Sequence, residues 1–102
     1  MARPTKRVYL VTRDLLFRSK LKSIVQWSGA EVTGDDTTCD VAVIELGSPA
    51  ADAQVRSFTA RGIATLAFGS HVMPGALRAA RDAGAVAVPN SQVEEALRSM
   101  LA

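Results

Sequence analysis

Cysteine, histidine and aromatic residues are scarce in this sequence. Cys39 is the only cysteine and His71 the only histidine among 102 residues, so an intramolecular disulfide and a cysteine-based metal cluster are excluded. Cys39 therefore reads as a small hydrophobe and His71 as a loop residue, and no metal or cofactor is expected. Aromatic side chains make up 5% of the chain, which argues against an aromatic-lined binding groove. The basic opening Met1–Arg7 is followed by only a short uncharged stretch before Arg13. That stretch is too short for a signal-peptide core or a membrane span, and a cytoplasmic location is expected.

What is present is alanine and valine. The chain is 48% hydrophobic and 22% charged, the composition of a globular protein whose helices pack closely on a sheet. Its length allows one domain, read as residues 7–102 behind a basic tail of residues 1–6. The net charge is +2, but residues 1–30 hold seven basic groups (Arg3, Lys6, Arg7, Arg13, Arg18, Lys20, Lys22) against Asp14 alone. Residues 31–60 hold six acids against Arg56. A solvated surface explains this asymmetry, and a nucleic-acid face is the alternative. No aromatic or glycine-rich interleaving accompanies the basic residues.

Apolar runs and amphipathic stretches alternate along the chain. Arg7–Thr12 is β-branched and almost wholly apolar, as a strand buried on both faces should be. Thr12 or Asp14 can cap the helix that follows, which buries Phe17, Leu21, Ile24, Val25 and Ser28 and stops at Gly29. Ala30–Thr33 is a short strand and residues 34–39 a loop. Asp40–Leu46 is the next apolar run, closing on the carboxylate of Glu45. Ser48-Pro49 then opens a helix with Val55 and Phe58 inward and Gly62 as its stop. Ile63–Phe68 is the following strand. A helix begins near Pro74 and ends at Gly84, and Ala85–Pro89 is the last strand. Ser91-Gln-Val-Glu94 matches a capping box, and Val93, Leu97, Met100 and Leu101 form the stripe of the final helix.

The order β-α-β-β-α-β-α-β-α predicts a three-layer α/β domain with a five-stranded parallel sheet. The flavodoxin-like strand order 2-1-3-4-5 follows, with its crevice at the carboxyl ends of strands 1 and 3.

Three stretches resemble the receiver domain of two-component response regulators over roughly residues 7–101. They are Val8–Arg18, Asp40–Leu46 and the alanine-rich Ala79–Ala85 before the last strand. Receivers accept a phosphoryl group on an aspartate, helped by an acidic pair that holds Mg²⁺, a hydroxyl after strand 4 and a lysine after strand 5. That chemistry is chiefly neutralisation of phosphate oxygens, so lost charges are costly.

By this resemblance the phosphoacceptor falls on Glu45 and the acidic pair on Thr12 and Arg13, leaving Asp14 nearby. Ser70 is the candidate hydroxyl, and Val88–Ser91 holds no lysine. The resemblance thus implies a degenerate site without aspartyl phosphorylation. An ion pair between Glu45 and Arg13 is expected in place of the metal–phosphate network, fixing one conformation.

The helix that receivers carry between strands 2 and 3 is missing. One face of strands 1 and 3 is then expected to expose apolar surface, covered by a homodimer or another protein. Leu16 and Trp27 lie off the first helix's apolar stripe, on either side of Lys20. Packing against the first or last helix is expected for them, with an interface as the alternative.

The reading that results is a non-enzymatic, stand-alone pseudo-receiver that signals by protein contact. Nucleic-acid binding through the tail, Arg18 and Lys22 is a second reading. A small-ligand flavodoxin-like protein is a third, although no glycine-rich phosphate loop and no nucleophile–base–acid set is visible.

Overall fold

The apolar runs become the strands of one sheet in the computed structural model, which describes residues 5–102. The elements are β1 (Arg7–Val11), α1 (Leu15–Trp27), β2 (Glu31–Thr33), β3 (Val41–Glu45), α2 (Pro49–Ala60), β4 (Ala64–Gly69), α3 (Pro74–Asp82), β5 (Val86–Pro89) and α4 (Val93–Leu101). All neighbouring strands are parallel, in the order β2-β1-β3-β4-β5. The flavodoxin-like prediction holds.

Alternation along the strands divides the core in two. Val8, Leu10, Val41, Val43, Leu66 and Phe68 point to one face, where α1 and α4 cover them with Leu21, Val25, Val93 and Leu97. Ala42, Ile44, Ala67 and Ala87 point to the other, under Val55 and Phe58 of α2 and Leu77 of α3. Both faces of β3 and β4 are buried, as parallel strands with helical crossovers require.

Local chemistry sets the helix ends. Asp14 caps α1, its Oδ1 accepting the backbone N–H groups of Leu16 (2.9 Å) and Phe17 (3.2 Å). Gly29, with φ of 80°, follows the helix in a conformation that a side chain would strain. Ser28 belongs to this C-terminal turn and is exposed, not buried with the apolar stripe as the spacing predicts. Ser48 caps α2 by accepting from the Ala51 N–H at 3.1 Å, ahead of Pro49. The capping box expected at Ser91 and Glu94 does not form. Residues Asn90–Gln92 instead make a 3-10 turn after Pro89, and α4 starts behind Gln92 without a side-chain cap.

No helix separates β2 from β3. The connection crosses β1 on the α2 side, where Cys39 joins the core and the Asp36 carbonyl accepts from Arg61 Nη2 at 2.7 Å. Asp35 organises this loop, accepting from the Thr37 N–H (2.9 Å), the Thr37 hydroxyl (2.6 Å) and the Thr38 hydroxyl (3.1 Å). Arg7 anchors it: its backbone N–H donates to Asp40 Oδ2 at 2.9 Å, its carbonyl accepts from the Asp40 N–H at 2.8 Å, and its Nη1 reaches the Thr38 hydroxyl at 3.0 Å. The expected apolar opening on β1 and β3 is therefore smaller than the sequence suggests. Ala42 and Ile44 of β3 are fully buried beneath α2, and only Tyr9 and Val11 of β1 stay half-exposed on that face.

Among the described residues no helix is long and apolar enough to cross a membrane. Arg3 and the rest of residues 1–4, most of the basic tail, lie outside the described residues.

Candidate functional site

The carboxyl edge of the sheet brings Glu45 to the β1–α1 connection. Val11 pairs with Ile44, so the next residues along each strand, Thr12 and Glu45, stand side by side. The Thr12 hydroxyl donates to Glu45 Oε1 at 2.6 Å, and the backbone N–H of Arg13 donates to the same oxygen at 3.0 Å. Thr12 Oγ1 also accepts from the Asp14 N–H at 3.2 Å, which ties the carboxylate to the start of α1. Two donors on one charged oxygen, partly shielded from water, form the best-defined polar contact at this edge.

The predicted Glu45–Arg13 ion pair is absent. Arg13 reaches Glu45 through its main chain only, and its side chain is exposed. Both hydrogen bonds that Glu45 accepts end on Oε1, from the Thr12 hydroxyl and the Arg13 N–H. Among the described residues the one ion pair joins Arg7 Nε to Glu31 Oε1, at 3.1 Å.

The other site residues are brought near this edge but not into one constellation. Asp14 is committed to capping α1. Ser70 turns the β4–α3 loop, its hydroxyl accepting from the Val72 N–H at 3.3 Å, and makes no bond to Glu45. Pro89 ends β5 and Asn90 follows, with no cation where a receiver has its lysine. The nearby Arg81 is used structurally, donating from Nε and Nη2 to the Ala87 carbonyl. No group of three or more His, Cys, Asp or Glu among the described residues could hold a metal ion. His71 is exposed in a loop.

A cleft of about 480 Å³ opens beside Glu45, between β1 and the first turns of α2. Tyr9 and Val11 form its apolar floor, while Arg13, Ser48 and Gln54 contribute polar rim. Gly47, with φ of 123°, lets the chain turn from β3 into α2 at its edge. The sequence pointed to the missing helix, but not to Ser48 and Gln54 as walls of this cleft.

Of the predicted interaction residues, Leu16 and Trp27 do not pack against either helix. They are 66% and 91% exposed, which overturns the expected burial and leaves the interface alternative. Arg18 folds back so that Nη1 donates to the Leu10 carbonyl at 3.3 Å, whereas Lys22 is exposed.

The fold is that of receiver domains. The BeF3-activated DrrB receiver domain superposes with a TM-score of 0.79 at 15% identity, over 96% of this chain and 95% of that one. The response regulator DrrB, a Thermotoga maritima OmpR/PhoB homolog, matches with a TM-score of 0.77 at 14% identity. There 94% of this chain is covered but only 50% of the other, so the chain spans half the length of that regulator. A CheY-like receiver domain protein from Methanospirillum hungatei gives a TM-score of 0.76 at 16% identity, covering 96% and 94% of the two chains. No protein-family model and no curated protein matches the sequence. The class defined is a receiver-like, CheY-like α/β fold, and identities this low establish the fold alone.

Proposed function

We propose that this chain is a pseudo-receiver: a non-enzymatic module of two-component-type signalling that is not phosphorylated and works by binding a protein. The observation that carries the reading is the bonding of Glu45. Its carboxylate accepts from Thr12 Oγ1 and the Arg13 N–H, in the loop where a working receiver would hold its metal. Phosphoryl transfer to a carboxylate brings several negative oxygens together, and cations must neutralise them. Thr12 and Arg13 supply no metal-binding carboxylate, Asp14 is engaged as a cap, and no lysine follows β5.

In this reading Glu45 supplies a permanent negative charge where a regulated receiver acquires one on phosphorylation. The Thr12 bond fixes the β1–α1 connection in a single arrangement, taking over the role expected of an Arg13 ion pair. A protein partner docks over the cleft beside β1, where Tyr9 and Val11 offer apolar contact inside a polar rim.

The test is incubation with acetyl phosphate and Mg²⁺, followed by intact-mass measurement. The expected result is the unmodified mass for both the wild-type chain and Glu45→Asp, because the substitution restores the acceptor but not the metal site. A phosphoryl adduct on the wild-type chain would overturn the reading.

A further inference from the structure

α1 turns its unburied side to solvent without a single acid. Between Asp14 and Glu31 the chain holds Arg18, Lys20 and Lys22 and no carboxylate. Leu21, Ile24 and Val25 define the buried side of the helix. At about 100° per residue, Leu15, Leu16, Ser19, Ser23, Gln26 and Trp27 fall on the other side, with Lys20 and Lys22 on its two flanks. All of these side chains are exposed. Leu15 is 80% exposed, Leu16 66% and Trp27, the only tryptophan of the chain, 91%. Apolar surface left in water on that scale marks a contact face.

Neighbouring elements add to the positive charge at the Trp27 end. α1 follows β1 and α4 follows β5, so both helices start at the carboxyl edge of the parallel sheet and run back in the same direction. The end of α1 therefore lies beside the end of α4. There Arg98 shares with Lys20 and Trp27 the rim of a groove of about 630 Å³, floored by Ile24 and Leu101. Glu94 reaches this groove from the first turn of α4, which also carries Glu95, at the end away from Trp27. The exposed Lys6 joins the Trp27 end, its carbonyl accepting from the Glu31 N–H at 2.9 Å just past the turn that closes α1. Glu31 itself is paired with Arg7.

We infer that this face binds the surface of an anionic lipid bilayer, Trp27 and the two leucines entering the headgroup region while Lys20, Lys22, Arg98 and Lys6 meet lipid phosphates. Charge selects an anionic occupant, and the layout selects a fluid one. A protein interface gathers its apolar anchors at a dry centre and sets charge at the rim. Here Leu15 and Trp27 are the first and last residues of α1, about 18 Å apart along its axis, and small polar side chains lie between them. A nucleic-acid duplex would use the cations and leave the leucines in water. A bilayer surface uses both. Indole and leucine side chains partition into the headgroup boundary, and basic side chains reach the phosphates from the flanks. With so few anchors the contact is peripheral, weak and sensitive to salt. The face lies across the sheet from the cleft beside β1, so a bilayer-bound chain keeps that cleft open to its protein partner.

Co-sedimentation with vesicles of equal parts phosphatidylglycerol and phosphatidylcholine tests the inference, with tryptophan emission recorded on the same samples. Pure phosphatidylcholine vesicles, a mixed-sequence DNA duplex and a polyglutamate peptide are the comparisons. The expected result is binding to the anionic vesicles alone, with a blue shift of Trp27, both declining as salt rises. Trp27→Ser should weaken binding by about tenfold, and Lys20→Gln and Lys22→Gln by about fivefold each. All three sites are exposed, so the thermal midpoint should hold and serves as the folding control. No binding to anionic vesicles at low salt would overturn the proposal. So would binding that Trp27→Ser leaves unmoved, or that keeps the emission of a water-exposed indole. Preference for the duplex or the acidic peptide over vesicles would assign the face to another partner and overturn it too. None of these results bears on phosphorylation, so the pseudo-receiver reading stands or falls separately.

Discussion

Glu45 Oε1 accepts both the Thr12 hydroxyl and the Arg13 N–H, so the carboxylate is bound by groups one and two residues past the end of β1. A hydrogen bond to a charged group contributes more than a neutral one, and partial exposure reduces that contribution. Thr12→Val should therefore cost about 1 kcal/mol, and Thr12→Ser much less because it keeps the hydroxyl. Glu45→Gln keeps an acceptor oxygen and should cost less than Thr12→Val. A double-mutant cycle between positions 12 and 45, read by urea unfolding, should show coupling, whereas a cycle between the side chains of Arg13 and Glu45 should show none. Additivity at positions 12 and 45 would mean that the bond does not hold the loop.

The Gly34–Asp40 connection shows how an element can be replaced by a loop without unfolding its neighbours. Where a receiver inserts a helix, Asp35 binds Thr37 and Thr38 while Arg7 binds Thr38 and Asp40. The Asp35 carboxyl is held below the usual carboxylate range, mainly by the Thr37 hydroxyl and then by the Thr37 N–H. A lowered folded-state value means that the loop's contribution is fully present above the ordinary aspartate range. It is lost as pH falls through the lowered value. Amide-exchange protection at Thr37 should therefore decline at acid pH in the wild-type chain and be weak at all pH values in Asp35→Ala. Protection that ignores both pH and the substitution would show that Asp35 does not order the loop.

At this scale the sequence was most legible where one residue type has one use. Ser48-Pro49 opens α2, Gly29 follows α1, and the apolar run ending in Glu45 is β3. It was least legible where a side chain has several outlets. Arg13 was paired with Glu45 across the β1–β3 edge, yet its side chain is exposed and Thr12 supplies the side-chain bond to that carboxylate. Ser91 had the spacing of a cap, but Pro89 sets the chain into a 3-10 turn before α4 begins. Trp27 is a residue type usually buried, yet it stands off the Leu21, Ile24 and Val25 face of α1 and is exposed.

For the whole molecule, the two-sided core builds the receiver-like fold independently of the residues at the carboxyl edge of the sheet. Val8, Leu10, Val41 and Val43 pack under α1 and α4 on one side, and Ala42 and Ile44 under α2 on the other. These contacts do not depend on what stands at the carboxyl edge, so residues there can change without loss of the fold. On this framework sit a cleft beside β1 and, on α1, the exposed Leu16 and Trp27.

The DrrB receiver domain that superposes on this chain was obtained in a BeF3-activated form, and beryllofluoride reports directly on a competent acceptor site. Titration of this chain with beryllofluoride and Mg²⁺, followed by backbone amide spectra, is the most direct measurement of whether any such site survives. The amides of Thr12, Arg13, Glu45 and Ser70 should not shift, either in the wild-type chain or in Glu45→Asp. Saturable, Mg²⁺-dependent shifts at those positions in the wild-type chain would contradict the account.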